Sequence, residues 1–124
     1  MDKLGLALER VGDTLRFAER VKSDIEARLK QPIDYNDLAV ETGCALYSEH
    51  RVFAYVYTMT DKFKIISNRE WMDKKVEESA DRLDENGWFG KPTAWWYVNK
   101  DDTTTYAKAL TALSKIASDR VGRP

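Results

Sequence analysis

Cys44-Ala45-Leu46-Tyr47-Ser48, Val52-Phe53-Ala54-Tyr55-Val56-Tyr57-Thr58 and Phe63-Lys64-Ile65-Ile66 are three runs rich in β-branched and aromatic residues. Short polar links, Glu49-His50-Arg51 and Met59 to Lys62, join them. Two hairpins in series, and so a three-strand meander, is the natural reading. In the middle run, strict alternation puts Phe53, Tyr55 and Tyr57 on one face and Val52, Ala54 and Val56 on the other. Apolar groups on both faces predict a central strand covered by helices, or by a helix and a partner.

Upstream, Leu4, Leu8, Val11, Leu15, Ala18, Lys22, Ile25 and Leu29 alternate spacings of four and three. Their average of roughly 3.5 residues is the period of a coiled-coil seam, interrupted by Lys22. One long helix from Leu4 to about Lys30 follows, ended by Gln31-Pro32 because proline pushes its predecessor out of the helical region. Asp34 is a cap for a short helical turn through Leu38 and Ala39.

Downstream, Ser67 or Asn68 is placed to cap a helix running to about Glu85, with Trp71, Val76, Ala80 and Leu83 as its apolar stripe. Asn86-Gly87 is its stop signal, and Trp88-Phe89-Gly90-Lys91-Pro92 reads as a connecting loop. Thr93 to Val98 is a fourth strand. Asp101 or Asp102 caps a last helix to about Arg120, with Tyr106, Ala109, Leu110, Leu113, Ile116 and Ala117 facing inward. The expectation is an α+β fold of order α-β-β-β-α-β-α, a four-stranded antiparallel sheet packed with helices. Residues 1–32 form a docking or dimerisation helix and 33–124 the sheet domain.

The chain has 124 residues, 43% of them apolar, enough for a core. Its 20 basic and 21 acidic side chains nearly cancel, which argues against bulk electrostatic capture of nucleic acid and leaves room for a local basic patch. Cys44 is the single cysteine, so neither an internal disulfide nor a cysteine-cluster zinc site can form. With no apolar run near the ~20 residues needed to span a bilayer, and no signal-peptide pattern at Met1, a cytoplasmic protein without a membrane partner is expected.

Catalytic constellations are sparse. His50, the one histidine, sits in a hairpin turn with nothing to fix carboxylates around it. Cys44 faces His50 across the first hairpin but lacks an orienting third group, and a buried cysteine is commonly a small hydrophobe. Glu77, Glu78, Asp81, Asp84 and Glu85 alternate with Lys74, Lys75 and Arg82 as a solvated helix face does. Glu49, Asp61 and Lys62 fall in turns, a loose match to a metal-dependent hydrolase. No phosphate-cradling glycine motif occurs, and no cofactor or metal is expected.

The aromatic density between Trp88 and Tyr97 is the most informative feature. Successive strand residues point to opposite faces, so Trp95 and Trp96 cannot both enter one core layer. Trp88, Phe89, Lys91, Trp95 and Trp96 are candidate partner contacts, by protein docking or by stacking on unpaired bases near Lys91, Lys100 and Arg51, with packing of Trp95 and Tyr97, or of Trp96 and Val98, under a helix as the alternative. Leu4, Leu8, Val11, Leu15, Ile25 and Leu29 are candidates for self-association, with folding back over the sheet as the alternative.

From Thr42 onward the pattern resembles a small bacterial domain labelled "predicted transport protein", found beside restriction-endonuclease-like modules. The resemblance lies in Ala45-Leu46-Tyr47, Phe53-Ala54-Tyr55-Val56 and Gly90-Lys91-Pro92-Thr93-Ala94-Trp95-Trp96-Tyr97-Val98 followed by Asp101-Asp102. It implies an accessory or recognition module and supplies no catalytic residues. The functional expectation is a non-enzymatic protein-binding module with an unidentified protein partner. It could be homodimeric, an inhibitor or an accessory subunit of a defence or nuclease complex. A nucleic-acid-binding accessory domain is the alternative, and a metal-dependent hydrolase the third.

Overall fold

Helix α1 (Lys3–Leu29) runs 27 residues and ends where the sequence demands. Lys30 turns to φ 56°, its N–H still reaching the Glu26 carbonyl at 2.8 Å, and Pro32 follows. The computed structural model describes residues 3–35, 43–49, 51–59, 61–88, 90–100 and 103–121, and for 3–11, 87–88 and 120–121 only the course of the chain. From Leu15 on, α1 lays one stripe into the core: Phe17, Ala18, Val21 and Ile25 are buried, and Leu15 and Leu29 pack at its margin. The C-terminal half of the seam is thus consumed inside the molecule. Lys22 stands beside that stripe and pairs with Glu26 at 2.8 Å.

Six antiparallel strands form one sheet in the order β1-β2-β3-β4-β6-β5. They are β1 (Ile33–Tyr35), β2 (Cys44–Ser48), β3 (Arg51–Thr58), β4 (Lys62–Asn68), β5 (Arg82–Trp88) and β6 (Lys91–Asn99). The meander β2-β3-β4 is as expected from the sequence, and the sheet is larger than the four strands expected. Asp34 lies within β1, paired with Tyr47, instead of capping a helical turn. Leu38 and Ala39 lie outside the described residues.

The second departure is the helix expected from Asn68 to Glu85. Asn68 does cap, but only a 3-10 turn over Arg69–Trp71, through its side-chain oxygen and the Glu70 N–H at 2.9 Å. Asp73 then caps a separate six-residue helix, α2 (Lys74–Ser79), by accepting from the Val76 N–H at 2.9 Å. Ala80 leaves the helical region, and the Asp81 N–H joins the Trp95 carbonyl at 2.9 Å, which commits the chain to β5. The charged run Arg82 to Asn86 is an edge strand, where one side always meets solvent. Trp88 pairs with Lys91, so the stretch expected to be a loop is a tight hairpin with Gly90 at φ 82°.

Helix α3 (Thr103–Val121) closes the fold beside α1. Both helices cover the same sheet face, built from Ile33, Cys44, Leu46, Ala54, Val56, Ile65, Ala94, Trp96 and Val98 together with Ala109, Leu113 and Ile116. A register shift where Leu46-Tyr47 faces β3 breaks its alternation, and Phe53 enters this core beside Ala54 rather than joining Tyr55 and Tyr57. Phe17 of α1 stacks on Phe63 of β4 with centroids 4.0 Å apart, and Tyr106 of α3 meets Phe17 edge-on at 6.0 Å. The Tyr106 hydroxyl donates to Asp24, so burial and that carboxylate push its pKa well up. Among the described residues no helix is long and apolar enough to cross a membrane.

Candidate functional site

With α1 and α3 on one face, the other face of the sheet carries no described helix. Strand register places its side chains. One row runs Ala45, Tyr55, Ile66, Trp95, Arg82 across β2, β3, β4, β6 and β5. The next row runs Tyr57, Lys64, Tyr97. Tyr47 and Val52 extend the first row's edge, and Lys62 lies beyond the second. Tyr47, Tyr55, Tyr57, Trp95 and Tyr97 are all half-buried, so the face is a pavement of rings lying over a buried Ile66.

Cations stand over these rings. Lys64 Nζ lies 4.9 Å from the Tyr57 centroid and 4.5 Å from that of Trp95. The Arg82 guanidinium lies 4.4 Å from the same indole, and Lys62 4.9 Å from Tyr97. Trp95 is held in place by its Nε1–H, which donates to the Thr93 hydroxyl at 2.8 Å. Acids at matching register positions are few: Asp84 pairs with Arg82 at 3.1 Å, and Asp34 sits at the far edge. Burial and the Arg82 charge together lower the Lys64 pKa. Burial, and then the neighbouring tyrosine, raise those of Tyr55 and Tyr57, so both phenols stay neutral and able to donate.

The residues expected to meet a partner divide between layers. Trp95 is on the open face. Trp96 is in the core at 1% exposure, its Nε1–H donating to Ser79 of α2 at 3.2 Å, so it offers no contact surface. Lys91 is exposed at the β5–β6 turn, 3.7 Å from Glu70. Trp88 belongs to β5 by its backbone, and Phe89 lies outside the described residues. Of the self-association set, Ile25 is fully buried against the sheet and Leu15 and Leu29 are partly so. The side chains of Leu4, Leu8 and Val11 lie outside the described residues.

Lys100 is turned away from the pavement, over Phe63 at 5.1 Å and against Asp13 at 3.6 Å. The turn acids do not converge: Glu49 follows β2 and Asp61 precedes β4, at opposite ends of β3, on the order of 25 Å apart by strand rise. Cys44 is buried, its thiol turned to the Ala45 carbonyl at 3.8 Å, and His50 lies outside the described residues. No cluster of three metal-ligating side chains occurs among the described residues.

Comparison with family models, curated proteins and solved structures finds no match. The expected contact set did not include Tyr47, Tyr55, Tyr57, Lys64 and Tyr97, which share this face. Their signal was present in the alternation Tyr55-Val56-Tyr57 and Trp95-Trp96-Tyr97, but using it required knowing that both strands bare the same face.

Proposed function

We propose that this protein is a non-enzymatic binding module that takes up single-stranded nucleic acid across the open face of its sheet. The observation that carries the reading is the row of half-exposed rings, Tyr55, Tyr57, Trp95 and Tyr97, interleaved with Lys62, Lys64 and Arg82. Every base has a π-face to stack on such rings, and every nucleotide brings a phosphate for the cations. The near-neutral chain is compatible with this, because the positive charge needed is local. Docking of a protein partner, the first expectation from sequence, rested on Trp88, Phe89, Lys91, Trp95, Trp96 and the helical seam; of these, Trp96 and Ile25 are buried in the core, and Leu15 and Leu29 pack at its margin.

The test is fluorescence anisotropy with labelled oligothymidylate and oligouridylate at low salt. Wild type should bind, Trp95→Ala and Tyr57→Ala should each weaken binding roughly tenfold or more, and raised salt should weaken it further. Absence of binding to both oligomers at high micromolar protein sinks the reading. A stoichiometric protein ligand that survives nuclease and depends on Trp95 would assign the face to a protein partner instead.

A further inference from the structure

Lys64 is the residue on the open face that ordinary sheet packing does not explain. It sits in the middle of β4, an inner strand, flanked in register by Tyr57 and Tyr97. A threonine or isoleucine would suit a half-buried inner position better. Its ammonium lies against the rings of Tyr57 and Trp95 and makes neither a hydrogen bond nor an ion pair among the described residues. Ring contact recovers only part of the hydration that a half-buried ammonium loses.

Arg82 aggravates the problem by bringing a second cation to the same indole, 4.4 Å from its centroid. Asp84 answers Arg82, but among the described residues no carboxylate answers Lys64. Burial first, and the Arg82 charge second, pull the Lys64 pKa down. Meanwhile the ring beneath is fixed by the Thr93 hydrogen bond, so the arrangement exists before any ligand arrives. Two like charges held over one oriented ring, one of them without a counter-charge among the described residues, make a site short of an anion.

We propose that Lys64 and Arg82 form a phosphate seat above Trp95, which holds one phosphodiester of a bound strand while the bases on either side lie on Tyr57 and Tyr97. The seat rests on the nucleic-acid reading above and specifies its anchoring point. Tyr57 and Tyr97 stand two strand spacings apart across Lys64, roughly 9–10 Å, which leaves the interval between two stacked bases over the ammonium. The anion supplies the missing counter-charge and relieves the repulsion between the cations. Phosphate contact of this kind fixes position without reading sequence.

The experiment compares the slope of log affinity against log salt for oligothymidylate on wild type, Lys64→Met, Lys64→Arg and Tyr97→Ala, each checked for folding by its melting transition. Loss of one phosphate contact lowers the slope by about 0.7 for a single strand. Lys64→Met should lose about that much, Lys64→Arg should restore it, and Tyr97→Ala should weaken binding at an unchanged slope. A Lys64→Met protein that binds with the wild-type slope overturns the seat while leaving the nucleic-acid reading intact. Nitrogen-detected NMR of the lysine ammonium during titration with inorganic pyrophosphate separates the remaining cases. A Lys64 response without oligonucleotide binding keeps the seat and removes the polymer, and silence toward both probes overturns both proposals.

Discussion

Gly43 shows how narrowly single positions are specified. It enters β2 at φ 87°, and a Cβ there would strike the Val56 carbonyl oxygen and come within 2.7 Å of the Tyr57 ring. Gly43→Ala should therefore cost roughly 1–3 kcal/mol through the backbone alone, with the clash added, read as a lowered denaturant midpoint. Glu26 works by charge. Its carboxylate accepts from Lys22 Nζ and from the Ile33 N–H, pinning the end of α1 to β1. The Lys22 ammonium first, and the Ile33 N–H second, hold its pKa below the ordinary 4.5. A depressed folded pKa stabilises above the unfolded value and is lost as pH falls through the folded one. Wild type should be more stable than Glu26→Gln at pH 7, and the gap should close as pH drops below 4.5, measured by urea melts across that range.

Among the elements, β6 separates the two readings of its adjacent tryptophans. Trp96 fills the core under α2 and α3, and Trp96→Ala should cost about 3–5 kcal/mol. Trp95→Ala, on the open face, should cost much less stability while weakening the binding described above roughly tenfold or more. Equal losses of stability in the two variants would mean that the face is covered. That one of the pair belonged to each layer was legible from sequence, because neighbours on a strand diverge. Which was which was not, since register decides it. The meander, α1 and α3 were legible because each repeats a period over many residues. Strand β5 was illegible for a physical reason: Arg82-Leu83-Asp84-Glu85 has the composition of a solvated helix, and only pairing with β6 makes it a strand. Of the apolar stripe that suggested the longer helix, Val76 is buried and Trp71 and Ala80 pack against the core, while Leu83 is 47% exposed.

For the whole molecule, the layering is asymmetric: helices on one side, rings and cations on the other. The core is joined from both ends of the chain, through the Phe17–Phe63 stack and the Tyr106–Asp24 hydrogen bond. An α1 of this kind is part of the fold's foundation. Ile25→Asp should unfold the protein at every concentration, seen as lost tertiary circular dichroism, whereas a helix serving only to join two copies would leave a folded monomer by sedimentation.

The position of β6 between β4 and β5 bears on how the chain is made. Translation delivers β4 before its second neighbour exists, and β5, produced next, does not pair with it. The hydrogen-bonding groups along Lys62–Asn68 wait until β6 arrives after α2 and the rim strand. A nascent chain that has emerged only as far as Lys91 thus exposes an unfinished seam along β4, open to any extended segment nearby. The sheet of this protein is completed by insertion into its middle, and the interval before that insertion is when a newly made copy is most in need of protection.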